Sequence, residues 1–195
     1  MGTNVDGEMA EMRRGANVAL TREIPGLTGL VLGMSWNAGA ERALADNLVF
    51  AALLCGRDGR VRSDRDFVFF NQLTSPEESV SERDAALGAD AEQIEIDLAA
   101  VPPDIERIVA VLYVNQGPAQ RRTLGQLRSC VIRLLNRDGN AELVRSEDLA
   151  PAFATETAVV LGEVYRHPEG WKFKVLGQGY SKGIAGIAAD YGIPL

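Results

Sequence analysis

The chain has 195 residues, 46% of them hydrophobic and 24% charged, and a formal net charge of −7. This length predicts one domain with a sizeable core, and the composition is typical of a globular protein rather than a disordered one. The only adjacent basic pairs are Arg13-Arg14 and Arg121-Arg122, too few for a surface that binds a phosphate backbone, so the charge favours metal cations over nucleic acid as partners.

Short apolar runs separated by turn residues begin after the N-terminus. Residues 1–12 lack periodicity and are interpreted as a flexible extension, which places the domain at 13–195. Val49 to Cys55 is a strand-length run that ends at Asp58-Gly59, a dipeptide typical of hairpin turns because both residues tolerate positive φ. Phe67 to Phe70 follows and is predicted to be an aromatic, β-branched strand.

The second half of the chain continues this pattern. Ile94 to Leu98 alternates as a strand with one wet face does, whereas Ile108 to Val114 is continuously apolar and predicts a central strand. A second Asp-Gly turn follows Val131 to Leu135, and helical spacing is confined to Gly183 to Tyr191. About eight short strands and one short C-terminal helix predict a mainly β protein, a sandwich of two sheets.

Cysteine and histidine usage narrows the chemistry further. Cys55 and Cys130 each lie in an apolar run, which favours lone buried thiols in a reducing compartment over a disulfide or metal role. The single His167 lies in a turn sequence and is interpreted as solvated rather than catalytic. No signal peptide opens the chain and no apolar stretch is long enough for a bilayer, so we expect a cytoplasmic protein without a transmembrane segment.

Two further motifs contain residue types that ligand-binding or catalytic sites use. The glycine-rich segment from Gly177 to Gly183 does not have the spacing of a nucleotide-binding loop, and it is interpreted as the turn from the last strand into the terminal helix. Asp64 and Asp66 are paired carboxylates that a hydrolase could use, but a turn before a strand explains them more simply. Neither motif is assigned a catalytic or cofactor-binding role.

Motifs in a fixed order extend from Arg14 to Leu195. They are Arg14-Gly15-Ala16-Asn17-Val18, Gly59-Arg60-Val61-Arg62-Ser63-Asp64, Asp66-Phe67-Val68-Phe69-Phe70-Asn71-Gln72, Asp97-Leu98, Val101-Pro102, Thr155-Glu156-Thr157-Ala158, Gly162-Glu163, Tyr165-Arg166, Trp171-Lys172-Phe173, Gly177-Gln178-Gly179-Tyr180 and Tyr191-Gly192-Ile193. In their order and spacing these motifs resemble the TerD family of bacterial tellurite-resistance proteins. The resemblance implies a β-sandwich of the TerD type, calcium binding in acidic loops at one end, and a role in resistance to chemical stress.

The resemblance also implies where calcium would bind. The second Asp of the family's Asp-Leu-Asp segment falls on Leu48, and the acidic loop, here residues 81–92, is shorter than the family's and has Ala85 and Ala91 where oxygen donors are usual. Calcium affinity follows the charge count of the ligands, so we expect a partly degenerate site with weak or lost calcium binding. The candidate metal ligands are Asp46, Asn71, Asp84, Asp90 and Glu92.

The family resemblance carries no enzymatic activity, and we expect none in this chain. The leading hypothesis is a calcium-responsive binding module in a stress pathway, with other stress-response proteins as partners. The alternative is a metal-free scaffold that docks protein partners in the same pathway.

Overall fold

The computed structural model describes residues 11–117 and 122–195, and these residues form eleven strands and two α-helices. Short 3₁₀ turns lie at Asp64–Asp66, Leu124–Gln126 and Ala150–Ala152. In chain order the elements are β1 (Asn17–Ala19), β2 (Gly29–Asn37), α1 (Arg42–Ala45), β3 (Leu48–Cys55), β4 (Phe67–Val68), β5 (Val80–Glu82), β6 (Glu92–Asp97), β7 (Arg107–Val114), β8 (Ser129–Asn136), β9 (Glu142–Arg145), β10 (Ala158–His167), β11 (Gly170–Tyr180) and α2 (Ile184–Tyr191).

The strands form two antiparallel sheets packed face to face. The first sheet has the order β1-β11-β10-β7-β3-β4, and the second has the order β5-β6-β2-β8-β9. Alternate residues of both sheets, such as Leu32 and Met34 of β2 and Leu112 of β7, meet in one core between them. The predicted mainly β, two-sheet sandwich with a short C-terminal helix is confirmed.

The first sheet is buried on both faces. Alternate residues of β7 from Ile108 to Val114 face the second sheet, and the residues between them join a second apolar cluster that includes Ile187 of α2. This double burial explains why the run is continuously apolar, and it confirms the predicted central strand, which lies between β3 and β10. Cys55 belongs to the cluster under α2 and Cys130 to the core between the sheets, and both are free thiols.

Turn chemistry explains both predicted Asp-Gly turns. Gly59 has φ +77° and Gly139 has φ +84°, values that glycine adopts without steric cost. The turn into α2 is shorter than the glycine-rich segment from Gly177 to Gly183 suggested. Strand β11 extends to Tyr180, so only Ser181 to Gly183 form this turn. Gly177, with φ +63°, lies inside β11 where the register against β10 shifts.

The extension predicted for residues 1–12 lies mostly outside the described residues. Met12 is buried against the sandwich, and its N–H donates to the carbonyl of Arg145 at 2.8 Å while its carbonyl accepts from the N–H of Glu147 at 2.9 Å. Within the described ranges, no helix has the length and apolar character that a bilayer crossing needs.

Candidate metal centre

The exposed candidate ligands lie in three separate loops. Asp46 is the C-cap of α1, immediately before β3, and is exposed. Asn71 lies in the turn that Phe69 and Gln72 close with two reciprocal backbone hydrogen bonds, and it is also exposed. Asp84 follows β5 in the acidic loop and is exposed as well.

Asp90 is buried on the outer face of the second sheet. Its Oδ1 accepts from Arg133 Nε at 2.8 Å and from Ser35 Oγ at 3.0 Å. Its Oδ2 accepts from Arg133 Nη2 at 2.9 Å and from Gln93 Nε2 at 2.6 Å. The Asp90 side chain is 0% exposed and that of Arg133 is 16% exposed, so the pair is largely removed from water. Both carboxylate oxygens of Asp90 are therefore already bonded within the protein.

The backbone of β2 makes room for this carboxylate. Gly33 faces outward between the inward-facing Leu32 and Met34, and a Cβ built on it would collide with Asp90 Oδ2. The N–H of Ala91 donates to the carbonyl of Met34 at 2.7 Å, which fixes the end of the acidic loop across β2. The glycine and this hydrogen bond together hold Asp90 over the sheet.

Glu92 points in the opposite direction. It opens β6 opposite Met34, whose side chain lies in the core between the sheets, so Glu92 lies on the inner side at the sandwich edge. Its Oε2 accepts from the N–H of Phe50 at 3.2 Å. That N–H lies on an open stretch of the β3 edge, because β4 pairs only with Ala52 and Leu53.

Burial at this edge changes the acidity of Glu92. Desolvation raises its pKa to about 7, the Phe50 hydrogen bond offsets part of that rise, and the nearby charge of Glu82 adds to it. Tyr113 on β7 has a pKa raised to about 12, mainly by burial and partly by the charge of Glu92. Tyr113 also lines a surface cavity of about 520 Å³ together with Asn71. The Tyr113 side chain belongs to the apolar cluster under α2, so the cavity with Asn71 opens on the other face of the first sheet from the core between the sheets.

Glu82 is a carboxylate that the sequence analysis did not select. It lies two residues after the inward-facing Val80 on β5, so it points to the same inner side as Glu92. Its Oε2 is buried and has no hydrogen-bond partner among the described residues, and burial raises its pKa. In the sequence, the two-residue spacing from the apolar Val80 is the signal that Glu82 would share its face of a strand.

The sheet therefore separates the two acidic candidates that were expected to converge. Asp90 is bonded on the outer face of the second sheet, while Glu92 and Glu82 lie on its inner side. Arg83, next to Asp84 in sequence, also lies on the outer face, where its Nε donates to Glu95 Oε2 at 3.2 Å.

The described side chains do not fit a resident calcium ion held by all the candidates. Calcium takes about six to eight oxygen ligands, whereas Asp90 already has a cationic partner in Arg133. Among residues 11–117 and 122–195, no three His, Cys, Asp or Glu side chains are grouped so that they could hold a metal ion. Calcium binding by Asp46, Asn71, Asp84, Asp90 and Glu92 stays a prediction.

Comparison with known proteins identifies relatives of this chain. The TerD domain model matches residues 9–191. Tellurium resistance protein TerD of Serratia marcescens is 37% identical over 186 residues, 93% of this chain and 96% of that protein. General stress protein 16U of Bacillus subtilis is 37% identical over 187 residues, with the same coverage of 93% and 96%.

A solved structure has the same fold. A homologue of telluride resistance protein (TerD) from Streptomyces coelicolor superposes with a TM-score of 0.64 at 18% identity, covering 84% of this chain and 96% of that one. At this level of identity the match concerns the fold alone. On the family model and the two relatives at 37% identity, the chain belongs to the TerD domain family.

Proposed function

We propose that this chain is a non-catalytic binding module of the stress response, which acts on other stress-response proteins and does not require calcium at Asp90. The relatives that carry the names tellurium resistance protein and general stress protein support the pathway. The main support for a function without calcium is the pair of hydrogen bonds that Arg133 donates to the two carboxylate oxygens of Asp90.

Arg133 and a calcium ion would compete for the same carboxylate, that of Asp90. An arginine cannot lose its charge, and hydrogen bonding to Asp90 raises the pKa of Arg133 still further. Calcium could bind Asp90 only by displacing this guanidinium, which would leave a largely buried cation without its partner. The ion pair therefore performs the charge neutralisation that a bound metal would otherwise supply.

The lack of catalysis is supported by the surroundings of the paired carboxylates. Asp66 is buried, and its two oxygens accept from Arg62 Nη2 at 2.8 Å and Arg62 Nε at 2.9 Å. Arg62 also reaches Glu77 and Asp104, so Asp66 belongs to an ion-pair network that holds the loop before β4. A carboxylate engaged in this way is a poor general base, which favours the binding role over hydrolysis by Asp64 and Asp66.

A second candidate is a weak calcium-responsive module with its cation at Glu82 and Glu92. Two half-buried carboxylates lie on the same inner side, and Glu82 Oε2 is buried without a partner among the described residues. A divalent cation would relieve the repulsion that contributes to the raised pKa of Glu92.

Calcium titration with thermal melting separates the two candidates. The metal-free module predicts the same Tm in chelator and in calcium up to about 1 mM, because a ligand that binds only the folded state would raise Tm with concentration. A concentration-dependent rise that Glu92→Gln abolishes, and that exposed Glu23→Gln leaves intact, would overturn the metal-free proposal in favour of the second candidate.

Complementation tests the role in cells. In a strain that lacks this gene, the wild-type chain and Glu92→Gln should restore survival under tellurite equally well. Loss of rescue by Glu92→Gln, with the variant folded and present at normal levels, would contradict a metal-independent function.

A further inference from the structure

We propose that a second cavity of this protein, at the N-terminal end of α2, binds the phosphate group of a small organic molecule. The cavity has a volume of about 720 Å³, within the range of small-molecule sites. It lies where the end of β7, the segment before β10 and the turn from β11 into α2 meet. The proposal is independent of the metal question and of the partner protein.

The polar lining has the chemistry of an oxyanion site. Arg122 and Lys182 both line the cavity and supply positive charge. Hydroxyl groups surround them, and no carboxylate is among the described residues that line it. Charged donors and hydroxyls on several segments are the groups that hold phosphate oxygens. The hydroxyl-bearing residues are Thr123, Thr155, Thr157 and Ser181.

Glu41 forms an ion pair with Arg122 and offsets part of its charge, but it leaves other guanidinium donors available. Arg122 uses its Nε for Glu41 Oε2, at 3.2 Å, so its two terminal nitrogens are free of that bond. Glu156 lies between Thr155 and Thr157 in sequence, but its Oε2 accepts from the N–H of Ala154 at 2.6 Å. Its side-chain carbons lie against Gly179, away from the cavity lining.

The turn into α2 brings the cationic and hydroxyl groups together. Gly183 has φ +65°, and a Cβ there would come within 2.7 Å of Thr157 Oγ1, so glycine is required for this approach. The N–H of Thr157 donates to the carbonyl of Tyr180 at 3.0 Å, which fixes the β10 side of the turn. The first turn of α2 also faces the cavity through Ile184, and its partial positive charge adds to that of Lys182.

Other lining groups indicate an organic body on the ligand. Val114, Ile184 and Ala185 give the cavity an apolar wall that inorganic phosphate would not use. Gln116 also lines it, and its buried Oε1 has no hydrogen-bond partner among the described residues, while its Nε2 donates to Ala43. Because that oxygen is buried, the apolar wall carries the argument for an organic body. The favoured class is therefore a phosphomonoester of a small organic molecule.

Two sequence features that were not assigned a ligand meet at this cavity. Arg122 comes from one of the basic pairs, and Ser181 to Gly183 come from the glycine-rich segment. Neither has a recognised phosphate-binding spacing, because the groups are donated by segments far apart in the chain. Only the fold brings them to one place.

Isothermal titration with three probes tests the proposal on the intact chain. Ribose 5-phosphate should bind, inorganic phosphate should bind about tenfold or more weakly, and ribose should give no heat at about 10 mM. Equal affinity for the two phosphates would overturn the organic ligand. The lack of binding by both at about 10 mM would overturn the site itself.

Substitutions locate the binding. Lys182→Ala and Arg122→Ala should each weaken ribose 5-phosphate binding by about tenfold or more, because each removes a charge-assisted hydrogen bond. Lys172→Ala on β11 and exposed Arg57→Ala are matched controls that remove the same charges elsewhere and should leave affinity unchanged. Unchanged affinity in both cavity variants, with normal melting curves, would contradict the assignment.

Discussion

Arg133 on β8 and Asp90 in the acidic loop form a two-point ion pair, with Nε and Nη2 at 2.8 and 2.9 Å from the two carboxylate oxygens. The pair joins the loop to the outer face of the second sheet, across two strands. The Arg133 guanidinium therefore occupies the position next to Asp90 where the family resemblance led us to expect a metal ion.

Removing the arginine should destabilise the fold strongly. Arg133→Met leaves the 0% exposed Asp90 carboxylate without its counter-charge, and we expect a loss of about 3 kcal/mol in the free energy of unfolding, measured by urea denaturation. Arg22→Met is the matched control, because the Arg22–Glu169 pair is 59% and 52% exposed and its loss should cost less than about 1 kcal/mol. Equal losses in the two variants would contradict a structural role for the buried pair.

The glycine beneath Asp90 should be intolerant of even one methyl group. Gly33→Ala introduces a Cβ that collides with the Asp90 carboxylate, and we expect a loss of about 2 kcal/mol from the displaced ion pair. At Gly117 a Cβ meets no atom of the described residues within 4 Å, so Gly117→Ala should change stability by less than about 0.5 kcal/mol. Thermal melting of both variants distinguishes a specific clash from a general cost of adding a side chain.

The raised pKa of Glu92 predicts that the stability of the fold depends on pH. The pKa of Glu92 is raised from 4.5 to about 7 in the folded chain, so between these values the folded state keeps a proton that the unfolded state has released. The contribution of Glu92 to stability is therefore greatest below pH 4.5, and it falls as the pH rises through this window. Above the folded pKa it stays at its least favourable level.

Glu92→Gln removes this titration while keeping an oxygen for the Phe50 N–H. We expect a higher Tm than wild type at pH 8 and a smaller fall in Tm between pH 5 and pH 8. Exposed Glu23→Gln should follow the wild-type profile. A Glu92→Gln variant that melts below wild type at pH 8 would contradict the burial argument.

The two thiols should be inert in the folded protein. Burial raises the pKa of both Cys55 and Cys130 to about 12, so almost no thiolate exists near neutral pH. A chromogenic disulfide reagent at pH 8 should label neither cysteine in the native chain and both in guanidinium chloride. Rapid native labelling of either thiol would contradict the burial argument.

The strands were largely predictable because their signals are local. The continuous apolar run from Ile108 to Val114 follows from burial between two layers, and the Asp-Gly turns follow from the backbone freedom of glycine. The helix predicted for Gly183 to Tyr191 begins one residue later, at Ile184, because Gly183 has a φ of +65° and is the N-cap. Its apolar residues pack on the first sheet, as their spacing predicts.

The site was harder to predict because its geometry depends on contacts between distant residues. Alternation would place Asp90 and Glu92 on the same face, but β6 begins only at Glu92, and Asp90 lies in a loop that crosses β2. Arg133 is 43 residues further along the chain, and nothing local connects it to Asp90. The two-residue spacing puts Glu82 on the same face as Val80, and the pairing of β5 with β6 turns that face inward.

The first sheet also constrains how the protein is made. Its first strand, β1, pairs with its last, β11, and the central β7 needs β10 on one side. A ribosome must therefore release nearly the whole sheet-forming sequence before this sheet can close, and until then the edge of β7 that pairs with β10 stays open to unwanted pairing. Such long-range closure makes folding slow, and chaperones that bind exposed strand edges would have their longest opportunity to act on this chain during synthesis.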